Sequence, residues 1–194
     1  WPSSTLVIHG LPGCGKSHLG QVFLARSRGI QIPIGKFLEK NPSELISDTG
    51  NFFLDDIDVA LLQGDRVEVE KALLHFYNMV IESGSKLLIA AKAPPARWGL
   101  FLADLSSRLK TATLAEISLP DDDLLFAVLI KQFNDRQLRV DSDVIAFVIA
   151  RIERSFWALR KLVAATDQLS LIEKRRITIP LVRQALEEFV EKNN

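Results

Sequence analysis

The sequence predicts an α/β fold, with a parallel five-stranded sheet flanked by helices, followed by a small all-α domain. Before Pro120, short apolar segments alternate with segments of helical spacing, which is the pattern of a parallel sheet covered on both faces. After Pro120 the apolar spacing is helical, with no convincing strand. We therefore expect a sheet-containing domain over residues 1–120 and a helical domain, the lid of the family discussed below, over residues 121–194.

Apolar runs bounded by glycine or charged residues are the predicted strands of the first domain. They lie at residues 5–9, 31–34, 51–55, 86–91 and 113–119. Helices are expected over 17–28 and over 67–82, the second stopped by Ser83 and Gly84. In the second domain, helices are expected over 121–136, 141–152, 155–174 and 180–191. Asp121 and Asp141 are suitable N-caps, and Pro180 suits a first helical turn.

Composition limits the classes of partner. The 24 basic and 24 acidic residues cancel, so we expect direct DNA binding to be weak or absent and no attraction to an anionic membrane. No apolar run reaches the roughly 18 residues that cross a bilayer. The single cysteine, Cys14, excludes an internal disulfide and fits a reducing cytoplasm.

The run from Gly10 to Ser17 fits the P-loop pattern G-x-x-x-x-G-K-[S/T]. In such a loop, glycines let backbone amides converge on phosphates, a lysine reaches the β and γ oxygens, and a hydroxyl binds magnesium. A predicted strand precedes the run and a predicted helix follows it, whose N-terminal dipole favours the same anion. A nucleoside triphosphate or diphosphate is therefore the expected ligand. The candidate binding residues are Gly10, Pro12, Gly13, Cys14, Gly15, Lys16, Ser17 and His18.

The acids after the third predicted strand, in Phe-Phe-Leu-Asp-Asp ending at Asp56, suit the metal side of a P-loop site. Asp55 is the expected acid that holds Mg²⁺ through water, together with Ser17. Asp56 stands where a water-activating carboxylate is wanted, although it reaches about one methylene less far than a glutamate. Asp58 is expected to be a solvated cap or turn residue.

These motifs together resemble the AAA+ ATPases, and within them the initiator DnaA and especially its regulatory homologue Hda. The resemblance covers nearly the whole chain and implies ADP or ATP as the nucleotide. It rests on the P-loop and on the segments 54–58, 72–78, 91–95, 104–109, 119–123 and 176–183.

The resemblance also implies a role for Arg108. In AAA+ proteins a serine-arginine pair at this place supplies an arginine finger to nucleotide bound by a neighbouring subunit, and a guanidinium added in trans stabilises charge on the transferred phosphoryl group. Without the resemblance, Arg108 reads as a surface helix arginine.

Two departures weaken the prediction of hydrolysis by the chain itself. Where the family has a polar sensor after the fourth strand, the sequence has Ala90, Ala91 and Lys92. The arginine that usually contacts phosphates from the lid falls at Trp157. Arg154 and Lys161 lie about one turn away and either could substitute; Arg154 is our candidate. Nucleotide binding is thus predicted more strongly than hydrolysis.

Two further features favour Hda over DnaA. The segment between Ser17 and Asp55 is short for DnaA, and no helix-turn-helix segment follows the lid before Asn194. The resemblance implies DnaA as the partner, with stimulation in trans of the hydrolysis of DnaA-bound ATP and inhibition of re-initiation. It also implies a DNA-loaded sliding clamp, reached through an N-terminal motif not found in this sequence. Homo-oligomerisation stays open. The alternative function is an autonomous AAA+ ATPase or an initiation factor of the DnaA or helicase-loader type.

Overall fold

The structure, a computed structural model, describes residues 3–39 and 50–191. Contacts divide the chain into two units, Trp1–Ser118 and Leu119–Asn194. The division lies beside Pro120, where the alternation of strands and helices in the sequence ends.

A five-stranded parallel sheet forms the centre of the first unit, so the predicted fold class is confirmed. The strand order is β2-β3-β4-β1-β5, and every neighbouring pair is parallel. β1 has the predicted bounds, whereas β5 ends at Glu116 instead of at Leu119. The strands are β1 Thr5–His9, β2 Ile30–Ile32, β3 Phe52–Leu54, β4 Leu87–Ala91 and β5 Thr113–Glu116.

Apolar side chains on both faces of the central strands explain their position in the sheet. Every residue of β3 and β4 is buried, as expected for parallel strands covered on both sides. Successive residues face opposite sides: Phe52 belongs to the larger core of the first unit and Phe53 to the smaller one. β5 is an edge strand, and its residues alternate between half-buried and exposed.

Helices cover both faces of this sheet. They are α1 Lys16–Ser27, α2 Ile34–Glu39, α3 Ile57–Gln63, α4 Arg66–Glu82 and α5 Ala103–Thr111, with a short 3-10 helix at Pro95–Arg97. α4 begins at the N-cap Asp65, whose carboxylate accepts two amide hydrogens of the first turn at 3.1 and 3.3 Å. It ends at the predicted stop, where Gly84 has φ 69°.

The second unit is helical, as predicted, with α6 Asp122–Asp135, α7 Ser142–Ile149, α8 Phe156–Glu173 and α9 Ile179–Glu191. Asp121 is the N-cap of α6, and its carboxylate accepts the Leu124 amide at 2.8 Å. Asp141 occupies the N-cap position of α7, but its side chain makes no capping hydrogen bond. Throughout the part of the chain that the structure describes, the helices are too short or too polar to cross a bilayer.

Gly20 lies inside α1, where the helix crosses Phe53 of β3. A methyl group at Gly20 would lie closer than 3.0 Å to three ring atoms of Phe53. The Phe53 ring is fully buried, so it has no space into which to move. Contact with the sheet therefore requires a glycine here, although glycine costs roughly 1 kcal/mol relative to alanine in a helix interior.

Gly20→Ala is expected to lower the free energy of unfolding by about 1–3 kcal/mol, because overpacking outweighs the gain in helix propensity. Chemical denaturation of the purified protein measures it. The matched control is Gly35→Ala in α2, where a methyl group meets nothing within 4 Å, so stability should be unchanged or higher. A Gly20→Ala variant as stable as the wild type would contradict this account.

Candidate functional site

The loop between β1 and α1 has the backbone of a phosphate-binding loop. Gly13 and Gly15 have φ angles of 79° and 102°, which residues with side chains rarely adopt. The Gly10 amide donates to the Ala91 carbonyl at 3.3 Å, and a methyl group at Gly10 would lie closer than 3.0 Å to the Ile117 carbonyl oxygen. The loop is thus fixed between the ends of β4 and β5.

Lys16 is the buried cation of this loop, with a relative exposure of 7%. Its Nζ donates to the carbonyls of Gly10 at 2.8 Å and Leu11 at 3.0 Å, and lies 3.8 Å from Cys14 Sγ. Across residues 3–39 and 50–191 no carboxylate forms an ion pair with it. A buried ammonium bound only by neutral groups favours an anion.

The first turn of α1 adds donors to the same place. No acidic residue occupies it, and its N-cap, Gly15, has no side chain to cap the turn, so its amides stay available to a phosphate. Ser17, His18 and Pro12 are exposed. Cys14 is buried.

Asp55 follows β3, and the Ser17 hydroxyl of the P-loop lies close enough to its carboxylate to lower the pKa of Asp55. Burial raises the pKa of Asp55, and the charge of Asp56 raises it further, against the lowering effects of the Ser17 hydrogen bond and Lys16. The net direction is upward. The structure therefore brings together the hydroxyl and the acid that the sequence assigns to magnesium.

Asp56 and Asp58 differ from each other in environment. Asp56 is exposed at the start of α3 with φ 53°. Asp58 lies in the first turn of α3, and it is half-buried, with its Oδ2 accepting the Lys92 amide at 2.8 Å. Its Oδ1 is buried and has no hydrogen-bond partner among the described residues. Asp58 thus connects α3 to the end of β4.

The end of β4 carries only small apolar side chains beside the P-loop. Ala90 and Ala91 are fully buried, and Ala91 pairs in register with His9, the last residue of β1. The strand thus ends at the P-loop, at the place where the sequence analysis looked for a polar sensor, and has methyl groups there. Neither of these two side chains can orient a water molecule.

A cleft of about 370 Å³ borders the two acids. Asp55 and Asp56 line one part of it, and the rest is formed by Gln31, Ile34, Val59, Ala60, Gln63 and Gly64. Water can therefore exchange at both carboxylates. Water access matters for magnesium, which usually keeps several of its own water ligands in proteins.

The donor set fits Mg²⁺ bound with a nucleotide. Magnesium is typically bound by one or two carboxylates together with substrate phosphates, and Ser17 and Asp55 supply one hydroxyl and one carboxylate near each other. Within the described residues, no three or more His, Cys, Asp or Glu side chains converge as an independent metal site.

Arg108 lies in α5 with its side chain 40% exposed. Its Nε donates to Asp104 Oδ1 at 3.0 Å, one turn earlier on the helix. Its backbone carbonyl accepts the Thr111 hydroxyl at 2.7 Å and lies 3.5 Å from the Tyr77 hydroxyl of α4. The guanidinium is thus presented at the surface from a helix that packs on α4.

The lid candidates lie in the second unit. Arg154 precedes α8, and its guanidinium lies 3.0 Å from Asp122 of α6. Trp157 is in the first turn of α8, and Lys161 Nζ lies 5.8 Å from its ring centroid. Both basic groups are thus occupied within the lid, and the contact of Arg154 with nucleotide stays a prediction.

The sequence analysis missed Glu70, a fully buried carboxylate on α4. A signal was present: Glu70 precedes Leu73 by three residues and Tyr77 by seven, so it shares their buried helix face. A charged residue on an apolar face indicates a specific partner.

Comparisons with known proteins agree with this architecture. A family model described as Hda, lid domain, matches residues 121–186. The structure is similar to domain III of the replication initiation protein DnaA from Thermotoga maritima, with a TM-score of 0.80 and 20% identity over 95% of this chain and 84% of that one.

Two longer proteins are also similar. AMPPCP-bound DnaA from Aquifex aeolicus gives a TM-score of 0.68 at 18% identity, covering 96% of this chain and 60% of that one. The RuvB Holliday junction branch migration motor from Thermotoga maritima gives 0.68 at 16% identity, covering 94% and 61%. The chain thus spans about three fifths of these two proteins, and identities this low show the fold alone.

The family model adds a similarity in sequence to this similarity in fold, because it matches residues 121–186 of the helical unit. The sheet order and the P-loop geometry belong to the remaining part of the chain. The helical unit thus matches the Hda lid domain model over residues 121–186, and the chain has the fold of DnaA domain III.

Proposed function

We propose that this chain is a nucleotide-binding AAA+ regulator that assembles with DnaA and stimulates hydrolysis of the ATP bound by DnaA, so that re-initiation of chromosome replication is inhibited. One contrast supports the proposal. A complete phosphate loop lies beside a β4 end that has only Ala90 and Ala91, whereas Arg108 is presented at the surface of α5.

In this proposal the chain's own nucleotide, ADP or ATP, has a structural role. Lys16 and the amides of the P-loop bind its phosphates, and Ser17 and Asp55 hold the accompanying Mg²⁺, which neutralises phosphate charge when bound. Because the last side chains of β4 are Ala90 and Ala91 and the residue that follows is the cation Lys92, no sensor side chain on this strand accepts a proton from water, and bound nucleotide is hydrolysed slowly. Retained nucleotide stabilises the bound conformation by mass action.

The Arg108 guanidinium is proposed to act on the partner's nucleotide. Leaving Asp104 costs little, because an exposed pair one helical turn apart contributes about 0.3–0.5 kcal/mol. An arginine finger accelerates phosphoryl transfer by about 10³–10⁵-fold, which is about 4–7 kcal/mol of transition-state stabilisation. The gain exceeds the cost of release by roughly tenfold.

The choice of DnaA as partner rests on the match of the lid and on the resemblance of the sequence to the DnaA/Hda family. The lid matches the Hda model, and AAA+ modules of one fold can place a nucleotide of one subunit against an arginine of the next. This role also implies a cytoplasmic location and recruitment by a DNA-loaded sliding clamp. Self-association is an alternative use of the same surfaces.

A second candidate function is an autonomous ATPase or an initiation factor of the helicase-loader type. The Ser17–Asp55 contact and the exposed Asp56 favour it, because they supply a metal site and a carboxylate open to water. Steady-state ATP hydrolysis separates the two candidates. The first requires low turnover alone and faster turnover when DnaA is added, whereas robust turnover that DnaA does not change supports the second.

Lys16→Ala is expected to weaken nucleotide binding about 10–100-fold, because a hydrogen bond to a charged group contributes about 1.5–3 kcal/mol. Titration with a fluorescent ADP or ATP analogue measures it. Lys71→Ala is the matched control, since Lys71 is an exposed lysine that pairs with Glu68 on α4 and should bind nucleotide normally. Equal affinities of Lys16→Ala and the wild type would contradict the site.

Asp55→Asn is expected to raise the melting temperature at pH 7 while abolishing Mg²⁺-dependent nucleotide binding. The pKa of Asp55 is raised from 3.8, so ionisation destabilises the folded state as pH rises through the unfolded and folded pKa values. Asparagine avoids this cost, and the difference should vanish well below pH 3.8. Thermal unfolding across pH measures it.

Ser17→Ala tests the same linkage with the opposite sign. The Ser17 hydroxyl lowers the pKa of Asp55, so it stabilises the ionised carboxylate. Its loss should destabilise the ionised form in the folded state and reduce the melting temperature at pH 7. Destabilisation by Asp55→Asn at neutral pH would show that the pKa shift has the wrong direction.

Arg108→Ala is expected to retain nucleotide binding yet to lose stimulation of DnaA by about 10³-fold or down to the basal rate, as for removal of an arginine finger. Single-turnover hydrolysis by ATP-loaded DnaA measures it. Lys110→Ala removes an exposed cation from the same helix and should stimulate normally. Asp104→Ala releases the guanidinium and should stimulate at least as well as the wild type. Normal stimulation by Arg108→Ala would refute the assignment.

A further inference from the structure

A fully buried carboxylate lies behind the helix that carries Arg108. Glu70 of α4 is 0% exposed, and burial of an ionised carboxylate is costly unless several donors surround it. Replacing a buried ion pair by well-packed apolar residues is often neutral or stabilising. The placement of Glu70 therefore indicates that it holds a neighbouring segment of the chain in a defined position.

Both oxygens of Glu70 accept backbone amides from the start of α5. Oε2 accepts the amides of Phe101 at 2.9 Å and Leu102 at 2.7 Å, and Oε1 lies 3.1 Å from the Phe101 amide. Leu102 is the N-cap residue of α5 and has no side chain that can cap it. Glu70 thus satisfies from another helix the N-cap amide, which a glutamate at N3 satisfies locally in a capping box.

Arg66 completes the anchor, one turn before Glu70 on α4. Its Nε lies 3.3 Å from Glu70 Oε1, and its Nη2 donates to the carbonyls of Trp98 and Gly99. Its guanidinium also stacks 4.8 Å from the ring centroid of Phe101. The loop that enters α5 is thus bound by an acceptor for its amides and by a donor for its carbonyls.

The same helix contacts α5 again at Arg108. Tyr77 is seven residues after Glu70 on α4, and its hydroxyl lies 3.5 Å from the Arg108 carbonyl. Seven residues of helix span about 10.5 Å, and the six from Leu102 to Arg108 span about 9 Å. Two contacts on one face of α4 therefore match two points along α5.

We propose that Glu70 is the positioning residue for Arg108, fixing the start of α5 so that the guanidinium is presented at a defined place to the partner's nucleotide. This inference rests on the proposed function. α5 has nine residues, fewer than the roughly 12–15 that an isolated helix needs, so its position depends on the contacts with α4. A displacement of about 1 Å at a reacting group can cost about 10²-fold in rate.

The test compares Glu70→Ala with Glu70→Gln in the full chain. Alanine leaves both amides without an acceptor, whereas glutamine keeps the shape and one acceptor oxygen. We expect maximal stimulation of DnaA to fall about 10–100-fold in Glu70→Ala and by less in Glu70→Gln. The chain concentration for half-maximal stimulation and the affinity for ADP should change little.

Val80→Ala is the matched control for general destabilisation. Val80 is also fully buried on α4, about 15 Å along the helix from Glu70, and its truncation should reduce stability without reducing maximal stimulation. The double variant, Glu70→Ala with Arg108→Ala, should stimulate DnaA as weakly as Arg108→Ala alone. A loss in Val80→Ala equal to that in Glu70→Ala, or additive losses in the double variant, would overturn the proposal.

Hydrogen exchange of the same variants separates the two proposals. In Glu70→Ala, the amides of residues 101–111 should exchange faster, while those of α1 keep wild-type protection. Unchanged exchange at 101–111 overturns the anchor itself. Faster exchange with unaltered stimulation overturns the link to Arg108. If the wild type does not stimulate DnaA, the proposed function fails, and the exchange result alone then decides whether Glu70 anchors α5.

Discussion

The parallel pairing of β1 with β4 is the constraint on which the candidate site depends. Because His9 pairs with Ala91, the P-loop begins where β4 ends, and the Gly10 amide meets the Ala91 carbonyl. β3 pairs with the other side of β4, which places Asp55 at the same edge. Ligands of open α/β sheets bind at this carboxyl edge, so a register shift would separate lysine, hydroxyl and acid at once.

The residues at this edge could be predicted from the sequence because each of them has a local sequence pattern. The glycine pattern, the lysine and the strand before them predict the P-loop, and the apolar run before Asp55 predicts its strand. The helical lid followed from apolar spacing, and the N-cap at Asp121 from residue type. Local propensity and tertiary packing agree at these residues, which is typical of sequences that specify a single fold.

Other features were not predictable because their causes are distant in the chain. Asp58 looked like a cap residue, but its partner is the Lys92 amide, 34 positions away. Glu70 resembles an ordinary helix charge in the sequence, but its partners are the amides of residues 101 and 102 at the start of α5. The end of β5 at Glu116 is set by the length of β1, with His9 as its last partner. Such contacts follow from topology and leave little trace in local sequence.

The two cations of the site differ in a way that assigns them different tasks. Lys16 is buried and bound by neutral carbonyls. Its attraction to an anion is therefore screened less by water than that of an exposed lysine. Arg108 is half-exposed and paired with a solvated carboxylate, so it is easily released but needs a dry environment to act strongly. Such an environment is created only when another surface covers it. Lys16 can therefore bind a ligand within this chain alone, whereas Arg108 gains its effect in an assembly.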